Sequence, residues 1–143
     1  DELMSTVNLD APHEAQPSRV LGDFARRFVQ LMVRPTSIGL LRLLAADAHR
    51  FPDLSEAVFR SGPDRVVSDL ARYLEAQSRA GRLKIVDARL SAESFMGSLR
   101  GNLEIKALFS GQRGLEEINA DAARLERYSA HCVEIFLAAH ATD

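Results

Sequence analysis

The sequence has little cysteine, no tryptophan and no long apolar run. Cys132 is its single cysteine, so no disulfide can form within the chain, and we expect a reducing, cytoplasmic setting. No apolar run approaches the roughly 18 residues of a membrane span, and no signal-peptide pattern opens the sequence. These absences predict a protein without a membrane partner.

Positive charge is neither in excess nor clustered. The 143 residues include 18 Lys and Arg against 20 Asp and Glu, which gives a formal net charge of −2. A surface that grips nucleic acid must neutralise several phosphates with grouped basic residues. The sequence therefore gives no basis for DNA or RNA binding by this segment itself.

The usual signatures of catalysis and metal binding are missing as well. No two of the four histidines stand at i, i+4, and the Glu-x-x-His repeat of di-metal bundles does not occur. His131 and Glu134 lie one helical turn apart, but two ligands are too few for a metal site. Cys132 has no local catalytic signature, and the glycines of "GQRG" and "SLRG" follow no strand that would make them a phosphate-binding loop. We expect no enzyme activity, no metal and no cofactor.

What the sequence does contain is apolar residues at helical spacing almost throughout. Leu21, Phe24, Phe28 and Leu31 recur in steps of three, four and three, which is typical of one buried helix face. No strand-like alternation lasts long enough for a sheet. We predict an all-α bundle of about six helices, over residues 18–34, 36–51, 54–61, 63–80, 88–109 and 115–139.

Prolines, glycines and short polar residues predict where these helices begin and end. Pro35 and Pro52 stop the helices before them because a proline ring does not fit a helix interior. The pair Gly62 and Pro63 ends one helix and starts the next. Side-chain caps are predicted at four helix starts, at Ser18, Thr36, Asp53 and Asp87.

The first residues are predicted to form a separate segment. The chain opens with Asp1 rather than Met, which favours a piece of a longer protein, and "DAPHEAQP" (residues 10–17) is linker-like. We assign residues 1–17 to the remnant of a connecting helix and a linker. Residues 18–143 are long enough to form one domain with its own core.

The two long C-terminal helices carry more apolar surface than one neighbour can cover. Gly97 and Gly101 stand one turn apart in the first of them, although glycine costs roughly 1 kcal/mol relative to alanine in a helix. Small residues at this spacing let another helix approach closely. A seam through the second helix, with steps of four and three, includes Leu125, Ser129, Cys132 and Phe136. The pattern leaves two interpretations open: packing inside the bundle, or pairing with a second copy into a four-helix interface.

Three helix faces could enclose an apolar pocket in the middle of the bundle. Tyr73 and Gln77 are four residues apart and would present polar groups among apolar walls. The candidate lining residues are Phe24, Phe28, Met32, Leu70, Tyr73, Leu74, Gln77, Phe95, Met96 and Leu99. The same residues also fit a packed core, with Tyr73 and Gln77 reaching water at its edge.

Two passages in the middle of the chain resemble a known family. The first is "RFPDL" (residues 50–54), followed by Phe59, Gly62 and Pro63, and the second is "FMGSLRG" (residues 95–101). With the helix order, they resemble the regulatory domain of TetR-family transcriptional repressors. The resemblance runs from about Ser18 to the C-terminus.

The resemblance implies a role for each part of the domain. The middle helices would surround a cavity for a small, largely apolar effector. The two breaks within residues 49–66 would reverse the chain, and the short segment at residues 54–61 between them would be a connector at the edge of the bundle. The last two helices would form a homodimeric four-helix interface. Its residues would include Gly97, Gly101, Leu125, Ser129, Cys132 and Phe136.

DNA binding is implied only outside this chain. Family members carry an N-terminal helix-turn-helix domain that nothing here matches, and "DEL" (residues 1–3) resembles the start of the helix after it. The effector would favour one dimer conformation and so change the affinity of those missing domains for operator DNA. The alternative is a helical protein-interaction or dimerisation module with a filled core and no effector.

Overall fold

The computed structural model describes residues 16–142, and in this range the chain forms seven α-helices and no strand. The predicted all-α bundle is confirmed. The helices are α1 (Pro17–Met32), α2 (Pro35–Asp47), α3 (Pro52–Ser61), α4 (Pro63–Arg79), α5 (Ala88–Leu108), α6 (Gln112–Ala120) and α7 (Ala122–Ala139). Most of the predicted linker, and the "DEL" passage, lie outside the described residues.

Proline begins four of these helices. A proline in the first turn loses nothing there, because its missing N–H would have no partner within the helix in any case. The breaks that interrupt the middle of the chain are therefore also helix starts. The four residues are Pro17, Pro35, Pro52 and Pro63.

Of the four predicted side-chain caps, Asp87 is confirmed. Its carboxylate accepts a hydrogen bond of 3.0 Å from the backbone N–H of Leu90 at the start of α5. The caps predicted at Ser18, Thr36 and Asp53 are wrong, because the preceding proline has already begun each helix and no side chain caps these starts.

The last predicted helix is two helices, α6 and α7, separated at Asp121. The backbone of Asp121 leaves the helical region, with φ −90° and ψ 69°. Its carboxylate then accepts a hydrogen bond of 3.1 Å from the N–H of Arg124 and caps α7. Aspartate competes in this way for backbone donors and favours helix starts over helix interiors.

The core lies between α1, α4, α5 and α7. α1 packs most extensively against α7, and α4 packs most extensively against α5. Leu21, Phe24 and Val29 of α1 are completely buried, as are Leu70 and Leu74 of α4. These four helices form the stable part of the bundle against which the rest is placed.

The helices α2 and α3, which we call the outer pair, contribute little to that core. Ile38 is the one buried residue of α2, and α3 has none. Several large apolar side chains of the outer pair and of the segment joining its helices remain about half exposed: Leu40, Leu43, Phe51, Leu54 and Phe59. The outer pair therefore rests on the bundle rather than inside it.

α5 bends at Gly101, whose backbone has φ 34° and ψ −142°. A Cβ atom built on Gly101 would lie 2.6 Å from the hydroxyl oxygen of Tyr128 in α7. That hydroxyl donates a hydrogen bond of 3.0 Å to the carbonyl oxygen of Ser98. Gly101 therefore serves a close approach within the chain, since neither its backbone nor the space beside it accepts a side chain.

Each helix within residues 16–142 falls short of the length or the apolarity that a membrane span needs. α1 and α2 meet both requirements only when they are taken as a pair, and the two helices are bent by 69° relative to each other.

Candidate functional site

A cavity of about 280 Å³ lies between α1, the outer pair, the start of α4 and α5. Its walls are mainly apolar, and the half-exposed Leu40 lies among them. We call this space the α2–α3 cavity. It is lined by Phe28, Leu31, Met32, Ser37, Leu40, Leu41, Leu44, Val58, Gly62, Pro63, Val66, Met96, Arg100 and Glu104.

Three of the ten predicted pocket residues, Phe28, Met32 and Met96, line this cavity. The other seven are buried in the bundle and do not line it: Phe24, Leu70, Tyr73, Leu74, Gln77, Phe95 and Leu99. The structure therefore separates a set that the sequence pattern grouped together. The cavity lies toward the outer pair, whereas Leu70 and Leu74 of α4 and Leu99 of α5 are completely buried.

The outer pair supplies wall residues that the sequence reasoning missed, including Leu41, Leu44 and Val58. A signal for them was present in α2. Leu40, Leu41, Leu43 and Leu44 occupy more than one helix face, and a helix that is apolar on several sides needs more than one neighbour. That excess of leucine indicated a second apolar surface on α2.

One wall of the cavity is charged. Arg100 and Glu104 of α5 form an ion pair, and their side chains are 32% and 17% exposed. The guanidinium carbon of Arg100 also lies 5.2 Å from the centre of the Phe28 ring, within the range of a cation–π contact. The cavity therefore combines apolar walls with one oriented cationic group.

Tyr73 and Gln77 belong to a separate buried polar cluster with Arg82. The Gln77 side-chain oxygen accepts a hydrogen bond of 2.6 Å from Nε of Arg82. The Tyr73 hydroxyl and the Arg82 Nη2 atom are buried without a hydrogen-bond partner among the described residues. Burial raises the pKa of Tyr73 to about 12, although the Arg82 charge opposes this. The hydroxyl consequently keeps its proton, and Tyr73 is an uncharged core residue.

The predicted interface residues divide into two groups. Four residues of α7 are buried inside the chain itself: Leu125, Ser129, Cys132 and Phe136. The centre of the Phe136 ring lies 4.8 Å from the centre of the Phe95 ring. Gly97 is exposed, and Gly101 is half-buried beneath Tyr128. A second copy could therefore reach Gly97 and its neighbours, while the α7 seam already packs within the bundle.

Cys132 is held in that seam. Its thiol donates a hydrogen bond of 3.5 Å to the carbonyl oxygen of Ser98, and burial raises its pKa. A protonated, buried thiol is a poor nucleophile and a poor metal ligand. Within residues 16–142, no three His, Cys, Asp or Glu side chains come together in a way that could hold a metal ion.

A second cavity, of about 310 Å³, lies between α5, α6 and α7. Charged side chains from all three helices contribute to it: Lys106, Glu117, Asp121 and Arg124. Because its walls alternate in charge and it contains none of the predicted pocket residues, it fits an apolar ligand less well than the α2–α3 cavity does.

Comparison with known proteins places these features in context. Residues 19–142 match the family described as AefR-like transcriptional repressor, C-terminal domain. The fold is also similar to the crystal structure, at 1.54 Å resolution, of a protein from Mesorhizobium loti described as a TetR-family transcriptional regulator. The TM-score is 0.83 and the sequence identity 26%, over 99% of this chain and 67% of that one. No curated protein matches the chain.

Proposed function

Because the chain belongs to the AefR-like C-terminal domains of TetR-family transcriptional regulators, we propose that it binds a small, largely apolar effector in the α2–α3 cavity. The observation that carries this proposal is the cavity itself, which is mainly apolar and contains Phe28, Met32 and Met96 of the predicted set. Its volume of about 280 Å³ lies near the lower end of the usual range for ligand sites. We assign this role to residues 18–143, after a connecting segment at residues 1–17.

The loose packing of the outer pair supports ligand binding at this place. α3 buries no residue and α2 buries only Ile38, so a ligand beneath them would add apolar contacts to those that the outer pair makes with the bundle. Each apolar Å² removed from water contributes roughly 25 cal/mol. A bound effector should therefore stabilise the folded chain.

Dimerisation is the second part of the proposal. Gly97 is exposed on α5, and the neighbouring helix α7 carries Tyr128, His131 and Ile135 at steps of three and four along one face. Ile135 is 58% exposed. We assign the contact between two copies to this surface, which Gly97 would let a partner helix approach closely.

Helix α5 connects the two parts. Met96, Arg100 and Glu104 line the cavity, whereas Gly97 of the same helix is exposed on the proposed dimer surface. An effector that favours one setting of α5 would change how two copies meet. The helix-turn-helix domains that we assign to the region before Asp1 would then change their spacing on operator DNA. A coupling of roughly 1–3 kcal/mol would alter operator affinity about 5- to 150-fold.

A pair of tryptophan variants tests effector binding. Leu41 lines the cavity and Leu43 of the same helix is exposed outside it, so Leu41→Trp fills the cavity and Leu43→Trp is its control. Apolar compounds are screened by thermal shift, where saturation at 100 times Kd gives about 2.7 kcal/mol. We expect stabilisation of the native chain and of Leu43→Trp, and none of Leu41→Trp. If no compound stabilises the native chain, the alternative of an interaction module with a filled core is favoured.

Dimerisation is tested with a matched pair of glycines. A Cβ atom would meet no other atom within 4 Å at either Gly97 or Gly39, and both residues are exposed in helices. We expect Gly97→Arg to shift the chain from dimer to monomer in analytical ultracentrifugation, and Gly39→Arg to leave the dimer intact. Circular dichroism checks that both variants are folded. A native chain that sediments as a monomer at every concentration would contradict this part of the proposal.

A further inference from the structure

Arg100 presents unused hydrogen-bond donors at an apolar cavity. Within residues 16–142, its guanidinium donates to one partner, Glu104, through the single atom Nη1. A guanidinium carries five N–H donors in a fixed plane, so the ion pair leaves most of them available. The Phe28 ring, 5.2 Å from the guanidinium carbon, orients this plane.

The two charged residues of this wall are not equally accessible. The side chain of Arg100 is 32% exposed and that of Glu104 is 17% exposed. A cationic ligand would have to displace Arg100 from Glu104 in order to pair with the carboxylate. An anionic ligand can instead add to the free edge of the guanidinium, because arginine can bridge two acceptors and binds a carboxylate through two parallel hydrogen bonds.

The size of the cavity limits the rest of the ligand. Its volume of about 280 Å³ is about twice the roughly 150 Å³ that holds one benzene molecule. That space suits an apolar body of roughly a dozen non-hydrogen atoms. The remaining walls, apart from Ser37, Arg100 and Glu104, offer it apolar side chains or backbone.

We infer that the α2–α3 cavity takes a small monocarboxylate with an apolar body, and that the Arg100 guanidinium binds its carboxylate. This inference rests on the function proposed above and names the class of its effector. Arg100 supplies the specificity, because a carboxylate leaving water needs charged donors in return. The apolar walls supply most of the contact area.

Three probes of one length test the inference: decanoate, 1-decanol and decylamine. Each is titrated calorimetrically into the full chain below its aggregation concentration. We expect decanoate to bind at least tenfold more tightly than 1-decanol, since charge-assisted paired hydrogen bonds are roughly twice as strong as neutral ones. Decylamine should bind most weakly, because the donors of Arg100 repel an ammonium group.

Variants then separate Arg100 from the charge beside it. Arg100→Gln should weaken decanoate binding roughly ten- to hundredfold and weaken 1-decanol binding by a smaller factor, since the alcohol carries no charge to pair with the guanidinium. Because this variant leaves Glu104 unpaired, the double variant Arg100→Gln/Glu104→Gln is measured as well and should show the same loss for decanoate. Glu104→Gln alone should strengthen decanoate binding, since it releases the guanidinium. Melting curves of each variant check the fold.

The outcomes separate this inference from the proposed function. Binding of all three probes with equal affinity, or tightest binding of decylamine through Glu104, would overturn the carboxylate assignment and leave the effector cavity standing. Decanoate affinity unchanged in Arg100→Gln would do the same. No binding of any of the three probes would overturn the carboxylate assignment, whereas the proposed effector function falls only if no compound in the thermal-shift screen stabilises the native chain.

Discussion

The guanidinium of Arg42 in α2 caps the carboxyl end of α5, where its Nη2 atom donates a hydrogen bond of 2.8 Å to the carbonyl oxygen of Leu108. The carbonyl oxygens of Ala107 and Ser110 accept further hydrogen bonds of 3.2 and 2.5 Å from the same atom. The last carbonyls of a helix have no partner within it, and a cation there also interacts favourably with the negative end of the helix dipole. Arg42 thus fastens the outer pair to α5.

Replacing Arg42 should loosen that attachment. We expect Arg42→Gln to lower the free energy of unfolding by about 1–2 kcal/mol, because several hydrogen bonds to backbone carbonyls are lost. Arg42→Lys should lie between, since it keeps the charge without the planar fork. Urea titrations measure the effect, with the exposed Arg27→Gln as control. Equal stability of Arg42→Gln and Arg27→Gln would contradict this role.

Substituting alanine for each of the two glycines of α5 should change the stability of the chain in opposite directions. Gly101→Ala should destabilise the chain by about 1–3 kcal/mol, because φ is +34° and the new Cβ would lie 2.6 Å from the Tyr128 hydroxyl oxygen. Gly97→Ala meets no atom of its own chain within 4 Å and, at concentrations where the chain is monomeric, should stabilise the helix by up to about 1 kcal/mol. Adding Tyr128→Phe to Gly101→Ala should recover part of the loss. Chemical denaturation of the four chains checks this, and equal effects at both glycines would speak against the bend.

The buried hydroxyl of Tyr73 should destabilise the folded chain. Because it has no hydrogen-bond partner among the described residues, Tyr73→Phe should raise the free energy of unfolding by up to about 1 kcal/mol near pH 7. Tyr128→Phe is the contrasting control, since its hydroxyl does donate to Ser98 at 3.0 Å and its removal should destabilise. A loss of stability in Tyr73→Phe would indicate a partner for the hydroxyl.

The same variant should change the alkaline limb of the stability profile. The folded pKa of Tyr73 is about 12, above the ordinary value of 10, so the folded chain holds this proton more tightly than the unfolded chain. The stabilisation that this pKa difference gives the folded chain is therefore complete below about pH 10, and it is lost as the pH rises toward 12. Urea titrations from about pH 9 to 11 should show a shallower decline for Tyr73→Phe than for the native chain.

The sequence predicted the helices well because helical spacing is a local property. The Leu21–Leu31 stripe and the Asp87 cap both depend on residues within a few turns. Asp121 was missed because the apolar seam continues through it, and only the competition between its carboxylate and the helix backbone ends α6 there.

The cavity was harder to predict because its position depends on contacts between distant helices. Phe24 and Phe28 belong to one stripe, yet Phe28 faces the cavity and Phe24 is packed in the core. Which turn meets the outer pair is decided by how α2 crosses α1. In the same way, the spacing of Leu125 and Phe136 identifies an apolar face of α7. The spacing does not show that other helices of the same chain cover this face.

The absence of buried residues in α3 has a consequence for how such a protein can change over generations. Stability in this chain is concentrated in the four core helices, and α3 packs against α4 without burying a residue of its own, so opening α3 locally costs far less than unfolding the whole. Mutations in α3 should therefore reduce the free energy of unfolding of the whole chain only slightly. Val58, a cavity wall residue, lies in that helix. Selection can thus alter what the cavity admits while the inherited framework of the bundle stays intact.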